Sequence, residues 1–171
     1  IVMSAGGPKT LALAGAIADA VIIHSGLTTE VLTDTISRIR DEERAAGRPE
    51  GSAEVWAFAK CNIADRREDA IDEIKMALVA SGHHAFRFTL EGKNVPEELQ
   101  ESVLALQGQY VFSEHEQLGE TRNAALSDEL GLTDFLADRF AVAGTPDECL
   151  EKVRIIQDAG VDNLLILAIS S

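Results

Sequence analysis

IVMSAGGPKTLALAGAIADAVIIHSG (residues 1–26) reads as strand, glycine turn, helix, strand, and the remainder of the chain extends that scheme. Ile1–Ser4 is a short apolar run that stops at Ala5-Gly6-Gly7-Pro8. From Lys9 to Ala18 the residues Leu11, Ala14 and Ala18 fall at helical spacing, and Asp19 leads into a second apolar run, Ala20–Ile23. Two short strands joined in this way form a parallel pair, because parallel strands need a crossover, usually a helix and nearly always right-handed.

Beyond this unit, Thr28 or Thr29 caps a helix to about Ala46, with Leu32, Thr35, Ile36 and Ile39 inward and Arg38, Asp41, Glu42 and Arg44 outward. Gly47 and Pro49 end it. Glu54–Ile63 is rich in β-branched and aromatic residues and predicts a third strand. Asp65 followed by Glu68 opens a helix to about Ser81, with Gly82 as its stop. Residues 83–138 break the rhythm. Pro96–Leu106, Ser127–Leu130 and Thr133–Arg139 read as helices of an insertion over one end of the sheet, either a lid or plain helical packing. Phe140–Ala143 is a short strand-like piece, and Thr145-Pro146-Asp147-Glu148 is a strong helix start. Asn163–Ile169 (NLLILAI) is the continuous apolar run of a parallel strand covered on both faces. The inventory is four principal strands, beginning at Ile1, Ala20, Glu54 and Asn163, expected to be parallel, sequential and packed by helices on one face.

The 171 residues suffice for one domain, 1–171, with a sizeable core. No apolar run reaches the length of a membrane-spanning helix. A formal net charge of −14 argues against nucleic-acid or anionic-membrane partners, whose affinity comes from Lys and Arg. Cys61 and Cys149 are isolated and read as reduced, packed thiols, which gives a cytoplasmic expectation.

Gly6 and Gly7 allow close backbone approach, Pro8 suits a first helical position, and the second strand ends in His24-Ser25-Gly26. Two neighbouring strand ends and a helix N-terminus form a place for phosphate, although a Gly-Gly-Pro turn alone is more often an ordinary tight turn. Lys9 and Thr10 add a charge or a hydroxyl, with Lys9 equally at home in water. His24 faces a ligand or packs as a hydrogen-bonded histidine. Lys60 and Asn62 lie at the exit of the third strand, where an exposed strand end is favoured over a cavity. His83-His84 and Ser113-Glu114-His115-Glu116 lack metal-ligand spacing and read as surface residues, so no metal is expected. No Ser-His-Asp or Cys-His constellation is present, and the catalytic residues stay unassigned.

SAGGPKTLALAGAIADAVI resembles the segment A-A-x-G-P-K-x-x-x-L-A-G-x-x-A-D-G-V-I of the luciferase-like flavin and deazaflavin oxidoreductases. DRFAVAGTPDECLEKVRIIQDAGVDNLLI resembles that family's C-terminal F-A-x-x-G-T-P-E-E and A-G-V-D pattern. Ala20 stands where the family usually has glycine, a change of packing only. The resemblance implies a TIM barrel with insertions, of which this chain is about strands five to eight. It implies an oxidoreductase, monooxygenase or hydride-transferring, with FMN or the deazaflavin coenzyme F420, its phosphate held by Gly6, Gly7, His24, Ser25 and Gly26. Arg139 matches a position that faces the substrate pocket in some members, and Leu27 replaces a Lys of the sugar-phosphate enzymes, which argues against a phosphosugar. The implied partners are a small-molecule substrate, the missing N-terminal half-barrel and a second copy of the chain. Two rival readings stand beside it: a non-catalytic barrel piece serving as a structural or binding partner, and an unrelated phosphate-binding α/β enzyme.

Overall fold

The computed structural model describes residues 1–115, 117 and 121–169. Its strands are β1 (Val2–Ala5), β2 (Ala20–Ile23), β3 (Glu54–Ile63), β4 (Ala141–Gly144) and β5 (Asn163–Ala168). Between them run α1 (Pro8–Ile17), α2 (Thr29–Ala45), α3 (Arg67–Phe86), α4 (Gln100–Gln109), α5 (Arg122–Glu129), α6 (Thr133–Phe140) and α7 (Pro146–Asp158). The strand-like piece before Thr145 is thus a strand in its own right, β4, which brings the sheet to five strands.

Every pairing is parallel. β1 pairs β2 and β2 pairs the first half of β3, as expected. The order then departs from a simple sequence. Trp56 and Ala57 have partners in both β2 and β5, whereas Lys60 and Cys61 have partners in both β4 and β5. A strand has two edges, so β2 and β4 follow one another along one edge of β3 and β5 occupies the other.

Alternation along the strands divides the core in two. Val55, Ala57 and Ala59 of β3 join Leu11 and Ala14 of α1, Leu32 and Ile39 of α2, and Cys149 and Ile156 of α7. Val142 joins the same cluster, but its neighbours Ala141 and Ala143 point the other way, into a second cluster with Ile74 and Leu78 of α3 and Leu136 and Phe140 of α6. The helices therefore do not all lie on one face: α3 and α6 wrap the face of β4 opposite to α7.

Three local features explain the differences from the sequence reading. α3 runs on through Gly82, because that glycine lies against Leu136 of α6; a Cβ there would come within 2.7 Å of Leu136 Cδ2. Glu43 of α2 is fully buried and accepts hydrogen bonds from Arg40 Nη1 (2.9 Å), Ala53 N (2.7 Å) and Gly51 N (2.8 Å), which fixes the turn that starts β3. At β5 the continuous apolar run is not covered on both faces. Leu165, Ile166 and Leu167 are 40%, 48% and 44% exposed, and Leu165 stands beside Phe58 on the face that carries Trp56. Among the described residues β1 pairs only β2 and β5 pairs only β3, so both keep an open edge.

Candidate functional site

A cavity of about 380 Å³ opens at the C-terminal ends of β1 and β2, where ligands bind in parallel α/β sheets. Its floor is the turn after β1, with Gly6, Gly7 and Thr10, and the end of β2, with His24 and Ser25. Its far wall is the C-terminus of α3 with the segment that follows it, residues 84–94.

Gly6 makes room for His24. A Cβ at Gly6 would lie 2.7 Å from His24 Cε1 and 2.9 Å from Nδ1, so the imidazole rests on the open face of this glycine. Gly7 differs, since among the described residues the only atom a Cβ would meet is Thr10 Oγ1 at 3.8 Å. The Thr10 hydroxyl donates to the Gly7 carbonyl (2.9 Å) and accepts from the Gly7 N–H (3.2 Å). Because Leu11 N donates the first helical bond to Gly7 O (2.9 Å) and Pro8 has no N–H, the first-turn donors outside the helical ladder are those of Lys9 and Thr10. Lys9 itself is exposed and does not line the cavity.

Ser25 Oγ is 3.1 Å from Oγ1 of the buried Thr35, a contact that anchors the end of β2 to α2. Gly26 lies behind the cavity with φ +142°, a conformation that suits glycine, and a Cβ there would come within 2.7 Å of Arg139 Cδ. Arg139 fills that space. It is 2% exposed, and its guanidinium donates to three backbone carbonyls: Ser25 through Nε (2.8 Å), Lys93 through Nη2 (2.7 Å) and Asn94 through Nη1 (3.1 Å). Its own carbonyl accepts from Leu27 N (2.6 Å). Arg139 thus ties the floor to the far wall, and its guanidinium carbon lies 5.4 Å from the centre of the Phe86 ring.

The far wall adds His84, Arg87 and Lys93. His84 meets His24 edge to face, with ring centroids 5.1 Å apart and 61° between planes. Arg87 lies over the exposed Phe88 ring at 4.6 Å, and Lys93 Nζ donates to the Ala85 carbonyl. The acidic groups of the lining are Glu91 and Asp34, and Asp34 accepts from Arg38 Nε at 3.0 Å. Burial lowers the pKa of His24, aided by His84, and of His84, aided by Arg87, Lys93 and His115. Burial likewise lowers that of Lys93, aided by Arg139 and Arg87, and brings Arg139 down to about 10. These shifts share one direction, toward the uncharged form, as expected for basic groups crowded together with little negative charge beside them.

The structure therefore gathers Gly6, Gly7, His24, Ser25 and Arg139 around one cavity and places Gly26 directly behind it. It does not bring Lys60 or Asn62 there. Lys60 lies 4.7 Å from the Phe58 ring, and Asn62 is no exposed strand end: it is buried and donates to Ala70 O (3.1 Å) and Glu73 Oε2 (2.9 Å) of α3. Nor are both histidines of the His83-His84 pair idle surface residues. His84 lines the cavity, while His83 stacks on Tyr110 at 4.0 Å. Tyr110 Oη is 2.6 Å from His115 Nδ1, and Glu114 Oε2 accepts from Asn123 N at 2.9 Å; Glu116 lies outside the described residues. The far wall was the part missed from sequence, although Gly92-Lys93-Asn94, with Gly92 and Asn94 both at positive φ, carries the turn chemistry that marks it.

Comparison with known proteins gives a consistent picture. The chain is 24% identical over 168 residues to 5,10-methylenetetrahydromethanopterin reductase of Methanolobus tindarius, covering 96% of this chain and 47% of that protein. It is 28% identical over 169 residues to F420-dependent glucose-6-phosphate dehydrogenase of Nakamurella multipartita, covering 98% of this chain and 42% of that protein. Among solved structures, coenzyme F420 dependent tetrahydromethanopterin reductase from Methanopyrus kandleri has the same fold over 98% of this chain and 44% of its own, with a TM-score of 0.64 at 22% identity. The chain spans less than half the length of these curated relatives. The sequence profile described as luciferase-like monooxygenase matches residues 1–163, and the chain belongs to that family.

Proposed function

We propose that the whole protein is a flavin- or deazaflavin-dependent oxidoreductase, a monooxygenase or a hydride-transferring enzyme acting on a small organic molecule. In this reading residues 1–171 are about strands five to eight of its barrel, with 83–138 as a helical insertion. The remaining strands cover the open face at Trp56, Phe58 and Leu165, and the enzyme works in the cytoplasm as a homo-oligomer. The observation that carries it is the convergence of the Gly6-Gly7 turn, the His24-Ser25 strand end and a basic wall on one cavity.

The residues present fit the phosphate-bearing end of FMN or of coenzyme F420. The first-turn N–H groups of Lys9 and Thr10 and the positive end of α1 favour an anion. Gly7 leaves its side of the turn open, and Arg87 and Lys93 supply positive charge opposite. The cavity volume is within the range of sites that hold one end of a cofactor. When bound, the cofactor supplies hydride or oxygen chemistry. The part of this chain is to bind and orient: Ser25 is steadied by Thr35, and Arg139 holds the spacing between the two walls. Buried Leu27, in place of a lysine, keeps the expectation of a substrate other than a phosphosugar.

The test is titration of the full-length protein with FMN and with F420, followed by fluorescence, and repeated with Gly7→Val. Binding of one cofactor, weakened by the variant, is the expected result. Failure of both to bind, or an affinity indifferent to Gly7→Val, rejects the assignment.

A further inference from the structure

We propose that His24 and His84 form a proton-linked anion seat: an anionic group entering the cavity is bound together with one proton taken up by the pair. The inference rests on the reading of this cavity as the anion-holding end of a cofactor site, and adds how its affinity is controlled.

The geometry is specific. The two rings come from different elements, the end of β2 and the last turn of α3, and meet edge to face at 5.1 Å inside the cavity. His24 is pressed onto Gly6 by contacts a Cβ would not permit, so it cannot retreat toward β1. Two imidazoles at this separation resist double protonation, since like charges so close repel, so the pair takes up one proton rather than two.

The surroundings set the sign. Neither turn glycine, Gly6 or Gly7, brings a charge to the pair. α2 presents Asp34 and Arg38, already paired with one another. α3 and the wall present Arg87, Glu91 and Lys93; α6 presents Arg139; and His115 is close enough to act on His84 electrostatically. The cationic members outnumber the acidic ones, so an empty cavity disfavours a further positive charge. An entering anion reverses the balance and draws a proton onto the pair. The neutral bias of both rings agrees with this arrangement. Affinity then rises as pH falls through the imidazole range, by up to about ten-fold per pH unit for one proton taken up.

Sulfate is the probe of choice, because its charge is constant over this range whereas a phosphomonoester gains a proton of its own. Histidine ring resonances of the full-length protein are followed by NMR from about pH 8 to pH 5.5, with and without sodium sulfate. The expected result is sulfate affinity that increases toward acid, with the titration midpoints of His24 and His84 raised by sulfate. His24→Gln and His84→Gln each flatten the pH dependence, while the remaining histidine spectrum reports an intact fold. A sulfate affinity independent of pH, or midpoints that sulfate leaves in place, overturns the proposal. So does absent sulfate binding together with FMN or F420 binding that takes up no proton by calorimetry in buffers of different ionisation heat. In those cases the cofactor site stands if FMN or F420 still binds and responds to Gly7→Val; loss of all cofactor binding removes the cofactor reading and this inference together.

Discussion

Replacing Arg139 with methionine removes the tie between the two walls while keeping an unbranched side chain of similar bulk. Three charge-assisted bonds to carbonyls, at about 1.5–3 kcal/mol each, are lost. Those values are already net of desolvation, and burial of the charge, which lowers its pKa to about 10, places them toward the low end. The loss is on the order of several kcal/mol. Arg139→Lys keeps the charge without the planar fork and should recover only part of it. Urea unfolding of the full-length protein, followed by the fluorescence of Trp56, the only tryptophan of this sequence, gives the stability change as a shift of midpoint at constant slope. FMN affinity should fall in the same variants, because the Ser25 carbonyl and the segment of Lys93 and Asn94 are no longer held at fixed spacing. An unchanged midpoint with unchanged affinity for the methionine variant would show that the walls are held by something other than Arg139.

Four further outcomes are expected. Gly7→Ala should fold normally and perturb only ligand approach, whereas Gly6→Val should displace His24 and lower stability as well; paired melting and binding measurements separate the two. Glu43→Ala removes the carboxylate paired with Arg40, leaves two backbone N–H groups without their acceptor and should cost about 3–5 kcal/mol in denaturant unfolding. Glu148 accepts from Thr145 N (2.8 Å) and Thr145 Oγ1 (2.9 Å), bonds that lower its pKa. Its contribution is present above the ordinary Glu value and lost as pH falls through the depressed folded value, so Glu148→Gln should flatten that part of the pH–stability curve. Finally, a polypeptide of residues 1–171 alone should self-associate through the open edges of β1 and β5 and the exposed Leu165 and Leu167, which light scattering can follow. A well-packed monomer would contradict this.

The elements that announce themselves locally were legible. Thr145 with Glu148 marked the start of α7, Thr28 or Thr29 marked that of α2, with Thr28 the N-cap in the structure, and the apolar runs marked β2, β3 and β5. The turn residues of the cavity were legible for the same reason, since strand ends with glycines stand out in a sequence. What stayed hidden depends on contacts distant along the chain. Gly82 reads as a helix stop, and only Leu136, on another helix, explains why α3 continues. Glu43 reads as one more charge on a wet helix, and only the turn before β3 makes it a buried acceptor. Arg139 was singled out through a family position, but its partners Ser25, Lys93 and Asn94 come from two distant loops, and no spacing rule connects them. His84 was passed over because adjacent histidines on a helix point apart. That divergence is what sends His83 to Tyr110 and His84 to the cavity.

The double occupation of β3 has a consequence for the chain as it is made. β3 ends at Ile63, and the strand that fills its second edge begins at Asn163, about 100 residues later. At a ribosomal pace of about 5–20 residues per second, that edge waits roughly 5–20 s for its partner. Throughout the interval Trp56 and Phe58 stand on a nascent sheet that can template another strand. The segment made meanwhile includes α3, whose Ala70 and Glu73 accept from Asn62, so the early arrival of α3 gives the exit of β3 a cover before its second neighbour exists. Ribosome-bound intermediates ending between α3 and β5 are then the stage at which a holdase chaperone has most to bind.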